Sequence, residues 1–186
     1  MMAQIIVLHG ASSSGKTTVA KTLQNRIEKP FLHLSIDHYR DAGILPMNRF
    51  LSGEFAWKDA RQTIFNGFHA SLAAFADAGN NIILEHILDS DGWLEMLSDL
   101  LSAHDVFFVA IHCPLDILIE REKQRGDRPL GSAQRDFETI HIGKRYDLEI
   151  DGSDGVDANV DQLLTVWRNG MRSSSFRSLP LAVDCV

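Results

Sequence analysis

Short, nearly unbroken apolar runs alternate with longer amphipathic stretches along this chain, and that alternation predicts its architecture. Residues 5–8, 31–34, 82–84, 106–111 and 148–150 read as strands. Their apolar residues run continuously rather than alternating with polar ones, which suits strands covered on both faces, as in a parallel sheet. Between them, helical spacing predicts helices over about 16–28, 54–78, 93–102, 114–124, 135–143 and 156–171. Gly79 is suited to the position just past a helix, and Pro114 to a helix start. The order builds βαβ units, hence an α/β fold: a doubly wound parallel sheet of about five strands with right-handed crossovers. Ligands of such sheets sit beyond the carboxyl ends of the strands, which ranks the polar residues by position.

The first strand runs directly into Gly10-Ala11-Ser12-Ser13-Ser14-Gly15-Lys16-Thr17. This stretch fits G-x-x-x-x-G-K-[ST], and a strand before it with a helix after it is the context that pattern requires. Its glycines let the backbone aim several N–H groups at one anion, and the helix N-terminus adds partial positive charge. Lys16 would reach the β- and γ-phosphates, and the Thr17 hydroxyl would ligate Mg²⁺. The octapeptide, with Thr18 and Arg121, is the candidate nucleotide-binding set, and ATP with Mg²⁺ the expected ligand.

The chain has 186 residues, enough for one well-formed core, and residues 1–171 read as one domain. Residues 172–186 form a tail expected to fray or dock loosely. Lys and Arg number 18 against 25 Asp and Glu, a formal net charge of -7. That excess argues against nucleic acid or an anionic membrane as partner. No stretch reaches the roughly 20 apolar residues of a membrane span, and no signal peptide is evident. The two cysteines, Cys113 and Cys185, form no disulfide framework or metal spacing, so a cytoplasmic location is expected.

Two acidic residues fall at strand ends. Asp37, just past the second strand, would face the γ-phosphate as general base for an acceptor hydroxyl; an N-cap or Asx-turn role is the alternative. The neighbouring His38 is a substitute base or an ordinary loop histidine. Glu85, after the third strand, would hold the Mg²⁺ hydration shell, bind substrate or hydrogen-bond the phosphate loop. His86 reads as structural or pocket-lining. The densest basic segment, Arg121-Glu122-Lys123-Gln124-Arg125-Gly126-Asp127-Arg128-Pro129, would form a short Arg-rich lid. Arg125 and Arg128 would stabilise charge on the transferring phosphoryl group, and Arg121 would stack on the base. Asp151-Gly152-Ser153-Asp154-Gly155 would lie near base and ribose, or form a simple tight turn.

Taken together, the chain resembles the chloramphenicol phosphotransferase family of nucleotide-kinase-like P-loop proteins. The resemblance rests on residues 10–17, Asp37, Gly79-Asn80-Asn81-Ile82-Ile83-Leu84, Arg121 with Arg125-Gly126-Asp127-Arg128, and Tyr146-Asp147-Leu148-Glu149-Ile150-Asp151, and extends from about residue 4 to about 170. It implies ATP-dependent phosphorylation of a small-molecule hydroxyl, with the base on Asp37, the phosphate lysine on Lys16 and lid arginines on Arg125 and Arg128. The family's acidic pair after the third strand is Glu85-His86 here, and the resemblance does not carry the acceptor region, roughly residues 39–57. Two other activities compete: a nucleoside or nucleotide kinase, and a nucleotide-dependent switch without an acceptor. The guanine-reading N-K-x-D pattern is absent from the sequence, which argues against a GTPase.

Overall fold

The computed structural model describes residues 2–125 and 131–176, with the backbone alone at Arg125. Strands β1 (Gln4–His9), β2 (Phe31–Ser35), β3 (Asn81–His86), β4 (Asp105–His112) and β5 (Leu148–Asp151) form one parallel sheet in the order β2-β3-β1-β4-β5. Each coincides with a predicted apolar run, extended by at most two residues at either end.

Side chains alternate between two covered faces. On one, Ile6, Leu8, Phe31, Ile83, Phe107 and Val109 pack with α1 (Lys16–Arg26) and α8 (Val156–Arg168). On the other, Ile5, Val7, Ile82, Leu84 and Phe108 pack with α4 (Trp57–Asp77) and α5 (Trp93–Leu100). Phe107 and Phe108 are both wholly buried, one on each side, and truncating such a residue to alanine costs about 3–5 kcal/mol. A third, smaller cluster joins Ala11 and Cys113 to α6 (Leu115–Arg125) and α7 (Ser132–Thr139).

Two short helices, α2 (Ile36–Asp41) and α3 (Met47–Leu51), were not expected from the sequence. Neither buries a residue fully, so neither carries an apolar stripe to reveal it. Helix α4 begins at Trp57 rather than 54, because residues 54–56 belong to the turn after α3, where Phe55 N–H donates to the Arg49 carbonyl. Helix α7 covers Ser132–Thr139 instead of 135–143 because Gly131, at φ 90°, turns the chain into it and Glu122 caps it there. Helix α8 stops at Arg168, and Gly170 follows with φ 75°.

Beyond α8 the chain crosses back over the sheet. Arg172 pairs with Asp105 at 2.8 Å and lies over the Phe107 ring. The amides of Ser173 and Ser174 donate to Asp147, and Phe176 packs edge-on against Phe108 with ring centroids 4.9 Å apart. Among the described residues, no helix is long and apolar enough to cross a membrane.

Candidate active site

Residues 10–15 pass from β1 to α1 through backbone shapes that constrain their side chains. Gly15 has φ 100° and Ser13 φ 67°, both left-handed. A Cβ on Gly10 would stand 2.5 Å from the Ile111 carbonyl oxygen and 2.7 Å from Ser14 Oγ, so only glycine fits. Lys16 folds back over this loop, its Nζ donating to the carbonyls of Gly10 (2.8 Å) and Ala11 (2.7 Å). Ser12 Oγ and Ser14 Oγ are buried and have no hydrogen-bond partner among the described residues. Two orphaned hydroxyls inside a loop of this shape fit a site built to receive further oxygen ligands.

Strand register brings Glu85 alongside this loop. It stands between Leu8 of β1 and Ser35 of β2, on the α1 face of the sheet. Its Oε2 accepts the Thr17 hydroxyl at 2.8 Å, and its Oε1 lies 2.5 Å from His33 Nε2. Burial raises the Glu85 carboxyl, but the His33 and Thr17 hydrogen bonds outweigh it, leaving the group below the ordinary carboxylate range. A hydroxyl and an ionised carboxylate side by side are hard oxygen donors of the kind Mg²⁺ takes, directly or through water.

Asp37 is the second residue of α2. The cap of that helix is Ser35, whose Oγ accepts the Asp37 N–H at 3.0 Å. The N-cap position is thus held by Ser35, while the Asp37 carboxylate pairs with Arg40 at 3.3 Å and borders the same cleft as Lys16 and Thr17.

Arg121 occupies a joint between three segments. Its guanidinium donates to the carbonyls of Ser13 (3.3 Å) and Gly152 (3.2 Å), tying α6 and the loop after β5 to the phosphate loop. A Cβ on Gly152 would collide with the Ser14 carbonyl. Asp151 organises this turn by accepting both the amide (2.8 Å) and the hydroxyl (2.6 Å) of Ser153. The Arg125 side chain and Arg128 lie outside the described residues.

Glu122 of α6 ties down the start of α7. Its carboxylate accepts the Ser132 hydroxyl (2.6 Å) and the amides of Ala133 (2.8 Å) and Gly131 (2.9 Å), which hold it below the usual range. From α7, buried Asp136 reaches back to accept the Ser12 amide at 3.1 Å.

These elements enclose a cleft of about 1100 Å³. One half is walled by Ser12, Ser13, Gly15, Lys16, Thr17, Thr18 and Val19 with Arg121, Gly152 and Asp154. The other is largely apolar: Leu45, Met47, Phe50, Leu51, Trp57 and Phe65, with Arg40, Arg61 and Asp89 at its rim. Arg61 is neutralised there by Asp89 at 2.7 Å and lies over the Trp93 ring. Behind this half, His69 and His86 share a hydrogen bond of 2.7 Å between their Nε2 atoms. Burial lowers them to about 4 and about 3, so both are neutral at pH 7 and one donates to the other.

The family profile described as chloramphenicol phosphotransferase-like protein matches residues 3–165. The chain belongs to that family. It is accordingly a phosphotransferase of the P-loop kinase type. A Mycobacterium tuberculosis protein whose name assigns it to the O-phosphotransferases is 26% identical over 167 residues, covering 80% of this chain and 74% of that one. Among solved structures, a gluconokinase from Sinorhizobium meliloti superposes with TM-score 0.64 at 20% identity, over 90% of this chain and 93% of its own. The Mycobacterium tuberculosis APS kinase in complex with AMPPNP and APS gives 0.63 at 17%, over 90% and 98%. A shikimate kinase from Aquifex aeolicus gives 0.58 at 19%, over 89% and 96%. At such identities these likenesses speak for the shared fold.

Within this family member, the candidates Ser12, Ser13, Gly15, Lys16, Thr17, Thr18, Asp37, Glu85 and Arg121 line one cleft, whereas Gly10, Ala11 and Ser14 of the same loop do not reach its wall. Three polar residues were not singled out. His33 looked like one polar position on an edge strand, and the partners of Glu122 and Asp136 lie 9 or more and 124 residues away. The one local signal was Gly131-Ser132, a helix start in need of an acceptor.

Proposed function

We propose that this phosphotransferase moves the γ-phosphoryl group of ATP to a hydroxyl of a small, mostly apolar molecule, with Asp37 as general base. Asp37 takes the hydroxyl proton as the acceptor oxygen bonds to phosphorus, and the bond from phosphorus to the β,γ-bridging oxygen breaks, releasing ADP. The reading is supported by one observation: the Asp37 carboxylate, at the start of a helix capped by Ser35, borders the cleft that also contains the phosphate loop and its lysine.

Lys16 would exchange the Gly10 and Ala11 carbonyls for phosphate oxygens. Thr17 and, through water, Glu85 would hold Mg²⁺, which when bound supplies neutralising charge to the β- and γ-oxygens. Arg125 and Arg128 would add positive charge over the nucleotide. Arg121, tied to two backbone carbonyls, would brace the nucleotide half rather than stack freely on a base. The apolar half, with its arginines already paired, favours an uncharged acceptor with an aromatic or aliphatic body, as a chloramphenicol-like antibiotic or related metabolite would have. With its net negative charge and buried free thiol at Cys113, the protein is assigned to the cytoplasm, without nucleic-acid or membrane partners.

The test is a panel of acceptors incubated with Mg²⁺ and γ-labelled ATP. Hydroxylated aromatic compounds are expected to accept label and to raise ADP release well above the acceptor-free rate. Label on nucleosides alone would make the protein a nucleoside kinase. Tight nucleotide binding with slow hydrolysis and no labelled acceptor would make it a switch.

A further inference from the structure

Next to the phosphate loop, on the open edge of the sheet, three metal-ligating side chains converge from three elements. His33 comes from β2, His38 from α2 and Glu85 from β3, each offering one donor atom, all within 4.8 Å of one another. The convergence is built into the backbone. Parallel pairing of β2 with β3 sets Ser35 beside Glu85, so His33 and Glu85 point to the same face two residues apart. The Ser35 cap then turns α2 so that the His38 ring stands edge-on over the His33 ring, centroids 4.6 Å apart at 84°.

The environment resembles a ligand shell more than a surface ion pair. The side chains of His33 and Glu85 are each only 7% exposed. Glu85 divides its oxygens: Oε2 accepts from Thr17, which fixes the carboxylate, and Oε1 faces the imidazoles. An outer hydroxyl that orients a ligating carboxylate is a recurrent feature of metal sites. The ring of His38 has the His33 contact and no hydrogen bond among the described residues.

We propose that His33, His38 and Glu85 bind a divalent ion of borderline softness, such as Zn²⁺ or Co²⁺, distinct from the Mg²⁺ of the nucleotide. Mg²⁺ would take the carboxylate alone, whereas the two imidazoles beside it are donors that such borderline ions prefer. Ligands about 2.0–2.2 Å from one ion sit roughly 3–3.5 Å apart. Rotation of the half-exposed His38 ring and a slight parting of His33 from Glu85 would therefore close the set, leaving a coordination position open to water.

The experiment uses the full chain without nucleotide, so it stands apart from the acceptor screen. Co²⁺ is titrated and followed by its visible absorption, and the Zn²⁺-loaded protein is examined by X-ray absorption. We expect saturable Co²⁺ binding, two imidazoles in the Zn²⁺ shell, and no displacement by excess Mg²⁺. His38→Ala, at a half-exposed position on a short helix, should weaken Co²⁺ binding by about tenfold or more, and Glu85→Gln likewise. His112→Ala, beside Glu149 near the other edge of the sheet, should leave it unaltered. Unchanged affinity in His38→Ala, equal loss in His112→Ala, an all-oxygen shell or no Co²⁺ binding would overturn the proposal.

Discussion

The Asp136 carboxylate of α7 accepts the backbone N–H of Ser12 at 3.1 Å, joining α7 to the phosphate loop. Both residues are buried, so no water stands ready to replace the carboxylate. Asp136→Ala would leave the Ser12 amide without a partner. We expect it to cost about 1–3 kcal/mol, read as a lower urea midpoint at unchanged slope. A midpoint equal to that of the unaltered protein would show that the contact is idle.

Asp37 offers a sharper division between chemistry and binding. Because Ser35 carries the helix cap, Asp37→Asn should leave α2 and the fold intact. With an accepted substrate, kcat should fall by about 100- to 10,000-fold, while ATP affinity by calorimetry stays near its original value. An unaltered kcat would remove Asp37 as the base.

Gly152 is predicted to be irreplaceable for a steric reason. An added methyl would meet the Ser14 carbonyl, which is backbone and cannot rotate away. Gly152→Ala should destabilise the protein by about 1–3 kcal/mol and weaken nucleotide binding along with it. Gly155→Ala, which has open space around it, serves as the control in thermal melts.

Acid should weaken the fold through its neutral histidines. Burial, and for His86 also the neighbouring His69, lowers the pair to about 3 and about 4, against about 6.5 in an unfolded chain. Between those values the unfolded chain binds protons that the folded one refuses. Stability is therefore full above about pH 6.5 and declines as the pH drops toward 4, by roughly 1 kcal/mol per pH unit for each such histidine. Urea melts at pH 7, 6 and 5 should show the decline, and His69→Leu should flatten it. Equal midpoints across that range would refute the assignment.

How much of this was legible in the sequence depends on the range of the interaction. The strands announced themselves because each is a local apolar run, and the phosphate loop because its glycines, lysine and threonine are consecutive. Asp37 and Glu85 could be ranked since both lie at strand ends, where this topology collects ligands. Helices α2 and α3 stayed hidden because half-exposed turns leave no periodic apolar face. His33 gained meaning only from a register that aligns it with β3, and Glu122 only from an amide nine residues on. Contacts closed by tertiary structure leave no mark at either partner alone.

Phe176 packs on Phe108 at one face of the sheet, and Arg172 lies over the Phe107 ring at the other. During synthesis, every strand is therefore complete before its covering is. A nascent chain halted just after α8 would hold all five strands under α4 and α5, yet leave Phe108 without its Phe176 neighbour. Docking of residues 172–176 against Asp105, Asp147 and Phe108 would then complete this part of the sheet's covering.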